Sequence, residues 1–491
     1  MDCDWASSAP RYPAGKLLTV NLPSVEIGSV IAYTTVRTVT NAPAPFYAVF
    51  NFDSHEPLKL KSVRVNDFFR EVRDPRRLPN EPLQPMAGLW RDQVVVSSNR
   101  FQRLDLRLEK CDPRGQRTIE DIRNWMAKYV KVVGPGLYEL PLASQLTDAE
   151  TVLRERYATR LDYVRTMCAL LRGAGYEADV VLAADDADYP EALRRWIKFE
   201  RPNVRAFSVA LCRVKVANGG FLGFGGGERT YFIGTENQYA PLGPSAYEGC
   251  DYFDPESGDF GIVTVPSPEC SSFEAERSVY SIRENGAVDL VVENEMYGSG
   301  VGGFRRKYAE MLPENRSREY QSIIGAVAQA ASATSELETD IAGYPATRKF
   351  SCYIPDFATV QGDAMTIAIP QLLSSLPSAI GNARRTPFAV VAAEPEEETV
   401  TVRFPEGYTV IEHLPVPFVL ANPVDPSERW IESGVSTAVI NGALEVKLTR
   451  KIHKREYAWF APTFYEMLKD WNRTAVSRAN HVITIRKGKD K

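Results

Sequence analysis

The sequence predicts a multidomain chain of β and α+β domains, and three observations carry that expectation. Runs rich in β-branched and aromatic residues fill both ends of the chain. Between about residues 115 and 250 helical periodicity comes first and strand-like runs follow, the order of an α+β domain and not of a doubly wound sheet. The length of 491 residues exceeds one hydrophobic core; at roughly 150 residues per domain it calls for about three or four.

Residues 1–110 read as a partial β-sandwich. Leu17 to Leu22 and Ser29 to Arg37 flank a turn at Pro23 to Gly28, and Phe46 to Phe52, Lys59 to Val65, Gln93 to Ser97 and Arg103 to Leu108 continue the pattern. Thr118-Ile-Glu-Asp121 then has the form of a capping box, with Ile119, Ile122, Met126, Tyr129 and Val130 on one helical face. Helical stretches follow from Asp148 to Arg156 and along the stripe Leu161, Val164, Cys168 and Leu171, which Gly173-Ala-Gly175 stops. Strands are expected at Glu177 to Ala183, Phe207 to Val216 and Thr230 to Ile233, closing a domain over 111–265.

Beyond Pro266 the chain returns to β. Val279 to Arg283 and Val288 to Glu293 around Glu284-Asn285-Gly286 form a hairpin signal, and a helical insertion from Phe304 to Ala331 interrupts a domain over 266–385. Further strands are expected at Ala346 to Ile354 and Ala364 to Ile369. The acidic Glu394-Pro-Glu-Glu-Glu398 reads as a solvated turn. A last β-domain, 386–491, takes strands at Thr399 to Phe404, Tyr408 to Leu414, Ala443 to Arg450 and His481 to Ile485, with a short helix at Trp459 to Trp471.

Composition removes several classes of function. Lys plus Arg number 58 against 63 Asp plus Glu, a net charge of −5, which argues against a nucleic-acid binder that relies on bulk positive charge. Apolar residues at 44% are enough for a folded core. No apolar run approaches the ~20 residues of a transmembrane helix. The start, Met1-Asp-Cys-Asp-Trp5, lacks the basic and apolar regions of a secretory signal, so the expectation is a cytoplasmic protein or a chain that begins after a removed segment. The seven cysteines form no CxxC pair and no even framework, so neither a zinc site nor a disulfide scaffold is expected; Cys168 and Cys212 sit in apolar runs as small hydrophobes. No cofactor is called for. Gly219 to Glu228 lacks the Lys-Ser/Thr step of a phosphate-binding loop and reads as a hairpin loop. Asp251, Asp254, Glu256 and Asp259 miss calcium-loop spacing and read as a solvated turn after Asp254-Pro255. Trp125, Tyr129 and Tyr157 are expected in core packing rather than along a substrate groove.

Three stretches, in order, resemble a bacterial family of multidomain proteins with an N-terminal β-sandwich, a transglutaminase-like core of papain-like fold and C-terminal β-sandwich domains. They are Leu22 to Ile31, Val152 to Tyr176, and Phe404 to Pro415 with Leu468 to Trp471 downstream. The resemblance implies a Cys nucleophile at a helix N-terminus, a His base and an orienting Asp. Carried over by position, this chain departs at all three. Tyr157-Ala-Thr-Arg160 places Arg160 at the nucleophile, Phe207-Ser-Val209 places Val209 at the base, and Tyr231-Phe-Ile-Gly234 places Gly234 at the orienting acid.

A second argument is independent of that alignment: the histidines are 55, 413, 453 and 481, so the α+β stretch holds no imidazole. The expectation is therefore a non-catalytic transglutaminase-like protein. Its degenerate cleft, with Arg160, Asp162 and Glu236, would bind a peptide, protein or glycan, and the resemblance places it in the bacterial cell envelope or periplasm. Asp162 and Glu236 would also be the candidates for an acid–base pair, against helix capping or an ion pair with Arg160. One rival is an active cysteine transglutaminase or peptidase, which needs a reactive thiol at Cys168 or Cys212 within reach of a histidine. The other is a structural module of a larger assembly.

Overall fold

The structure, a computed structural model, describes residues 103–140, 142–200, 202–217, 228–369, 388–475 and 482–488, with 5–13, 47–51, 61–65, 68–72, 93–97, 383–385, position 101 and short pieces between 19 and 36. It is a mixed α+β molecule, mostly strands, in several sheets. Two compact units divide it: Met1–Phe50, Val94–Ala187 and Glu191–Pro268 form the first, and Asn51–Gln93, Asp188–Pro190 and Glu269–Lys491 the second.

The first unit is built on an antiparallel sheet and three longer helices, with short helical turns at Trp5–Ser8 and Glu191–Arg195. Helix α1, Ile119–Tyr129, starts on the capping box: Thr118 Oγ1 accepts from the Asp121 N–H at 3.0 Å, and Asp121 returns a bond to the Thr118 N–H. Its face of Ile119, Ile122 and Met126 is buried, but Tyr129 is 37% exposed, its ring tilted at 45° against Trp125 instead of entering the core. Helix α2, Ala149–Glu155, is capped by Asp148, and α3, Arg160–Gly173, by Thr159. The turn after α3 needs its glycines. Gly175 has φ +95°, and a Cβ on Gly173 would collide with the Cys111 carbonyl. The five-stranded sheet has the order β5-β4-β1-β2-β3, with β1 Glu177–Ala183, β2 Val209–Ala217, β3 Glu228–Ile233, β4 Asp251–Phe253 and β5 Phe260–Ile262. Strands β2 and β3 pair antiparallel, as expected of the arms of a hairpin, while the loop from Gly219 onward lies outside the described residues.

Arg103–Leu108, expected as a strand, joins no ladder. The Leu106 and Arg107 carbonyls are taken by the buried Arg165 of α3 instead, and the Leu104 N–H by the Pro255 carbonyl. Of the other N-terminal strands, Tyr47–Asn51 pairs with Gln93–Ser97, and Lys61–Val65 with Phe68–Val72. Of Leu17 to Leu22 positions 19, 21 and 22 are described, and of Ser29 to Arg37 positions 29–32, 34 and 36; none of these belongs to a strand, so the strand expectation is not met at the described positions.

The second unit centres on a nine-stranded sheet. The hairpin β6 Phe273–Ile282 and β7 Val288–Tyr297 turns at Gly286, φ +84°. The helical insertion is two helices, α4 Gly300–Ala309 and α5 Pro313–Val327, because Pro313 supplies a helix start. Strand β8, Ala346–Ile354, continues the meander, and β9, Ala364–Ala368, leaves it for a four-stranded sheet with β11 Tyr408–His413 and β14 Val482–Lys487. Glu394 to Glu398 corrects the sequence reading. It is not wholly a solvated turn, because Glu396 opens β10, Glu396–Arg403, which pairs in parallel with β6. Strands β12, Arg429–Ile440, and β13, Ala443–Ile452, extend the sheet beyond β10, so segments 266–385 and 386–491 both contribute to it. One apolar cluster, including Tyr280, Leu290, Cys352, Val402 and Val446, backs that sheet. A second gathers Phe388, Trp430, Phe460 and residues of helix α6, Tyr465–Ala475. Among the described residues no helix is long and apolar enough to cross a membrane.

Candidate functional site

The positions singled out in sequence lie in the first unit, around the start of α3 and the adjoining strands. Thr159, extended and buried, caps the helix by accepting from the Asp162 N–H at 3.2 Å, which makes Arg160 the first helical residue. A cation there opposes the helix dipole. Arg160 is half-buried, and its Nη1 donates to the Tyr247 hydroxyl at 3.0 Å. Tyr247 carries no sequence signal that would have marked it, because the pairing spans 87 residues.

Asp162 points the other way. It is fully buried and accepts from the Tyr12 hydroxyl at 2.8 Å, the Thr147 N–H at 2.9 Å and Arg165 Nη1 at 2.8 Å. Its ion partner is therefore Arg165, one turn on, and no bond to Arg160 or Glu236 is present. Tyr12 accepts the Thr159 N–H in turn, so the N-terminal Arg11-Tyr12 step is tied into the base of the helix.

Glu236 and Gly234 form one arrangement. Glu236 Oε2 accepts from the Gly234 N–H at 2.7 Å. A Cβ on Gly234 would lie 3.1 Å from Glu236 Oε1 and 3.1 Å from a Leu211 methyl. The Glu236 side chain thus folds back into the room a side chain at 234 would claim. Residue 236 as a whole is half-buried, but its carboxylate is enclosed. Burial pushes that carboxyl above its usual range, while backbone N–H groups and the charges of Arg123 and Arg160 pull it back. Val209 opens β2 opposite Ala183 and belongs to an apolar cluster with Val181, Leu211, Phe232 and Val263. The structure therefore brings Arg160 and Glu236 into one electrostatic neighbourhood and leaves Asp162 and Val209 in separate surroundings.

The two thiols of the rival reading are buried completely, with Cys168 Sγ 2.8 Å from Cys212 Sγ. Burial, with the neighbouring thiol, pushes Cys212 well above the usual thiol range, the opposite of an activated nucleophile. Their other described partner is the Asp179 carbonyl. Two acids of the 251–259 run are buried, which corrects the solvated-turn reading: Asp251, at the start of β4, holds Arg194 and Lys198, and Asp254 holds Arg213 while accepting from the Glu256 and Ser257 N–H groups of its own turn. Asp186, whose Oδ1 accepts the Asp251 N–H, is raised to about 6 by its burial.

No family model matches the chain, and no curated protein does. A crystal structure described as a putative protease from Parabacteroides distasonis ATCC 8503 is similar at a distance, with a TM-score of 0.38 and 12% sequence identity over 90% of this chain and 69% of that one.

Proposed function

We propose that the protein is a non-catalytic transglutaminase-like protein that binds an acidic group of a peptide, protein or glycan through Arg160. The observation that carries this is the state of that side chain. A guanidinium has five N–H donors; the Arg160 group is half-buried and, among the described residues, spends a donor only on Tyr247. Charge-assisted bonds to carboxylates are the strongest such a group makes, and they hold a ligand in orientation. Glu236 tunes the field beside it, and Asp162 supports the helix start from below. The absence of histidine between residues 56 and 412 supports the non-catalytic half of the reading. So do the apolar setting of Val209 and the folded-back Glu236. The sequence resemblance places such a protein in the bacterial envelope or periplasm, which cell fractionation checks.

The test is thermal shift with peptides that end in a free carboxylate, the same peptides amidated, and acidic and neutral glycans. A ligand of the native state raises the melting temperature. The free-acid or acidic-glycan arm should raise it, and Arg160→Ala should abolish the rise. A flat response across all arms, or an equal rise in the variant, refutes the binding reading. Hydrolysis or transamidation blocked by mutating Cys168 or Cys212 refutes the non-catalytic one.

A further inference from the structure

The parallel pairing of β6 with β10 sets glutamates side by side: Glu274 beside Glu396 and Glu276 beside Glu398. The two-residue period of the strands puts all four on the face that carries Tyr280 and Val400. Like charges at facing positions repel, and the flanking strands answer only part of that repulsion. On one side Arg450 of β13, itself buried, donates to Glu396 Oε1 at 2.8 Å. Its Nη2 also lies 2.9 Å from Glu398 Oε2, at ion-pair distance, but that oxygen accepts no hydrogen bond. On the other side Asn294 of β7 donates to Glu276 Oε2 at 2.5 Å and accepts from Arg348 of β8 at 2.9 Å.

Glu398 is only 4% exposed. Its burial, helped by Glu276 and Glu396 and opposed by Arg450, raises its carboxyl to about 7. A cavity of about 300 Å³ opens against this group of acids, with Met296, Phe304 and Ala346 as apolar wall. That is about ten times the ~30 Å³ share of one liquid water, room for a short carbon chain. Glu295 also lines the cavity but is engaged with Arg277.

The chemistry of these walls selects the ligand. Four carboxylates against two guanidinium groups leave an excess of negative charge. Among the described residues no three carboxyl, thiol or imidazole groups converge as metal ligands. A buried carboxylate short of hydrogen bonds calls for a cationic donor, and an ammonium brings three N–H groups on a compact head. The apolar wall fits the carbons behind it. We propose that this cavity binds a primary alkylammonium group, with its N–H donors on Glu398 and Glu276 and its carbon chain against Met296 and Phe304.

The charged groups facing Glu398 are Glu274 and Glu276 from β6, Glu396 from its own strand, Arg450 from β13 and Arg348 from β8. Phe304 is the residue that α4 adds to the wall. Binding must therefore release the Glu398 proton below neutral pH. Calorimetry on the full chain with 1,4-diaminobutane and with Nα-acetyl-lysine methylamide, and with 1-butanol as the uncharged control, tests this. Binding of either amine supports the proposal, and which one binds tells a free amine from a lysine side chain. Affinity should rise about tenfold per pH unit up to about pH 7 and then level off, with proton release that depends on the buffer below that point. Glu398→Gln should weaken binding at least about tenfold at pH 8, roughly the worth of one charge-assisted bond. No binding of either amine at about 10 mM, binding equal to that of 1-butanol, or wild-type affinity independent of pH overturns the proposal. The wild-type proton release keeps the test decisive even where the variant fails to fold.

Discussion

Replacing Asp162 by alanine tests whether this acid holds the first unit together or serves a ligand. The carboxylate is fully buried and is the described counter-charge of Arg165, which is itself 6% exposed. Removing one member of a buried pair leaves the other charge uncompensated, at a cost of about 3–5 kcal/mol. Arg165 keeps its bonds to the carbonyls of Leu106, Arg107 and Thr147, which favours the lower end, near ~3 kcal/mol. The Tyr12 hydroxyl keeps Arg11 and Thr159 as partners, but the Thr147 N–H loses its own acceptor. Hydrogen exchange read across α3 reports this unit alone and should speed up by roughly 10²-fold or more. The double change Asp162→Leu with Arg165→Met should recover part of the loss, since no orphaned charge then remains. A change of under ~1 kcal/mol for Asp162→Ala refutes the structural role and returns Asp162 to the candidates for ligand contact.

Thr118→Ala removes the side-chain half of the capping box, the Asp121 N–H to Thr118 Oγ1 bond, while the backbone N–H of residue 118 can still donate to Asp121; it should destabilise α1 by about 1 kcal/mol, seen as faster exchange of its first-turn amides. Native iodoacetamide labelling at about pH 8 should modify the partly exposed Cys270 well before the fully buried Cys168 or Cys212. Rapid labelling of either buried thiol sinks the account of their burial. For Glu398, a folded-state value of about 7 lies above the ordinary 4.5, so the folded state binds the extra proton. Its contribution is therefore fully present below about pH 4.5 and lost as pH rises to about 7. Denaturant midpoints should fall over that window, and Glu398→Gln should flatten the fall.

What the sequence could reveal was what neighbouring residues decide. The Thr118–Asp121 box, the α3 stripe and the β1 run Glu177–Ala183 are local patterns, and all three elements form where those patterns put them. Arg103–Leu108 alternates like a strand, yet partners far along the chain take its carbonyls and it joins no ladder. Tyr129 has the spacing of a core residue but lies at the exposed edge of α1. Strand β12 went unread because Ser433, Gly434 and Ser436 look like turn residues and its outer end, through Ile440, is exposed. At the site, the position of Arg160 follows from the Thr159 cap, but its partner Tyr247 and the return of Glu236 onto Gly234 depend on tertiary packing. Glu396 to Glu398 was the largest misreading: three acids behind a proline look solvated until β6, more than a hundred residues earlier, pairs with them.

That parallel seam balances its charge differently from three buried acids of the first unit. There Asp162, Asp251 and Asp254 each meet an arginine, so their charge is balanced within the fold. In the second, register forces Glu276 against Glu398, and one proton is the cheapest balance the chain itself can provide. A cation in the cavity would replace that proton, so stability and binding draw on the same group. With the alkylammonium saturating, Glu398 would be ionised in the folded state over the whole window, and the native state would no longer hold more protons than the unfolded one. The fall in stability from about pH 4.5 to 7 should then disappear or reverse in 1,4-diaminobutane and persist in 1-butanol. Should the fall survive saturating amine, the cation sits elsewhere and the seam is a structural feature alone.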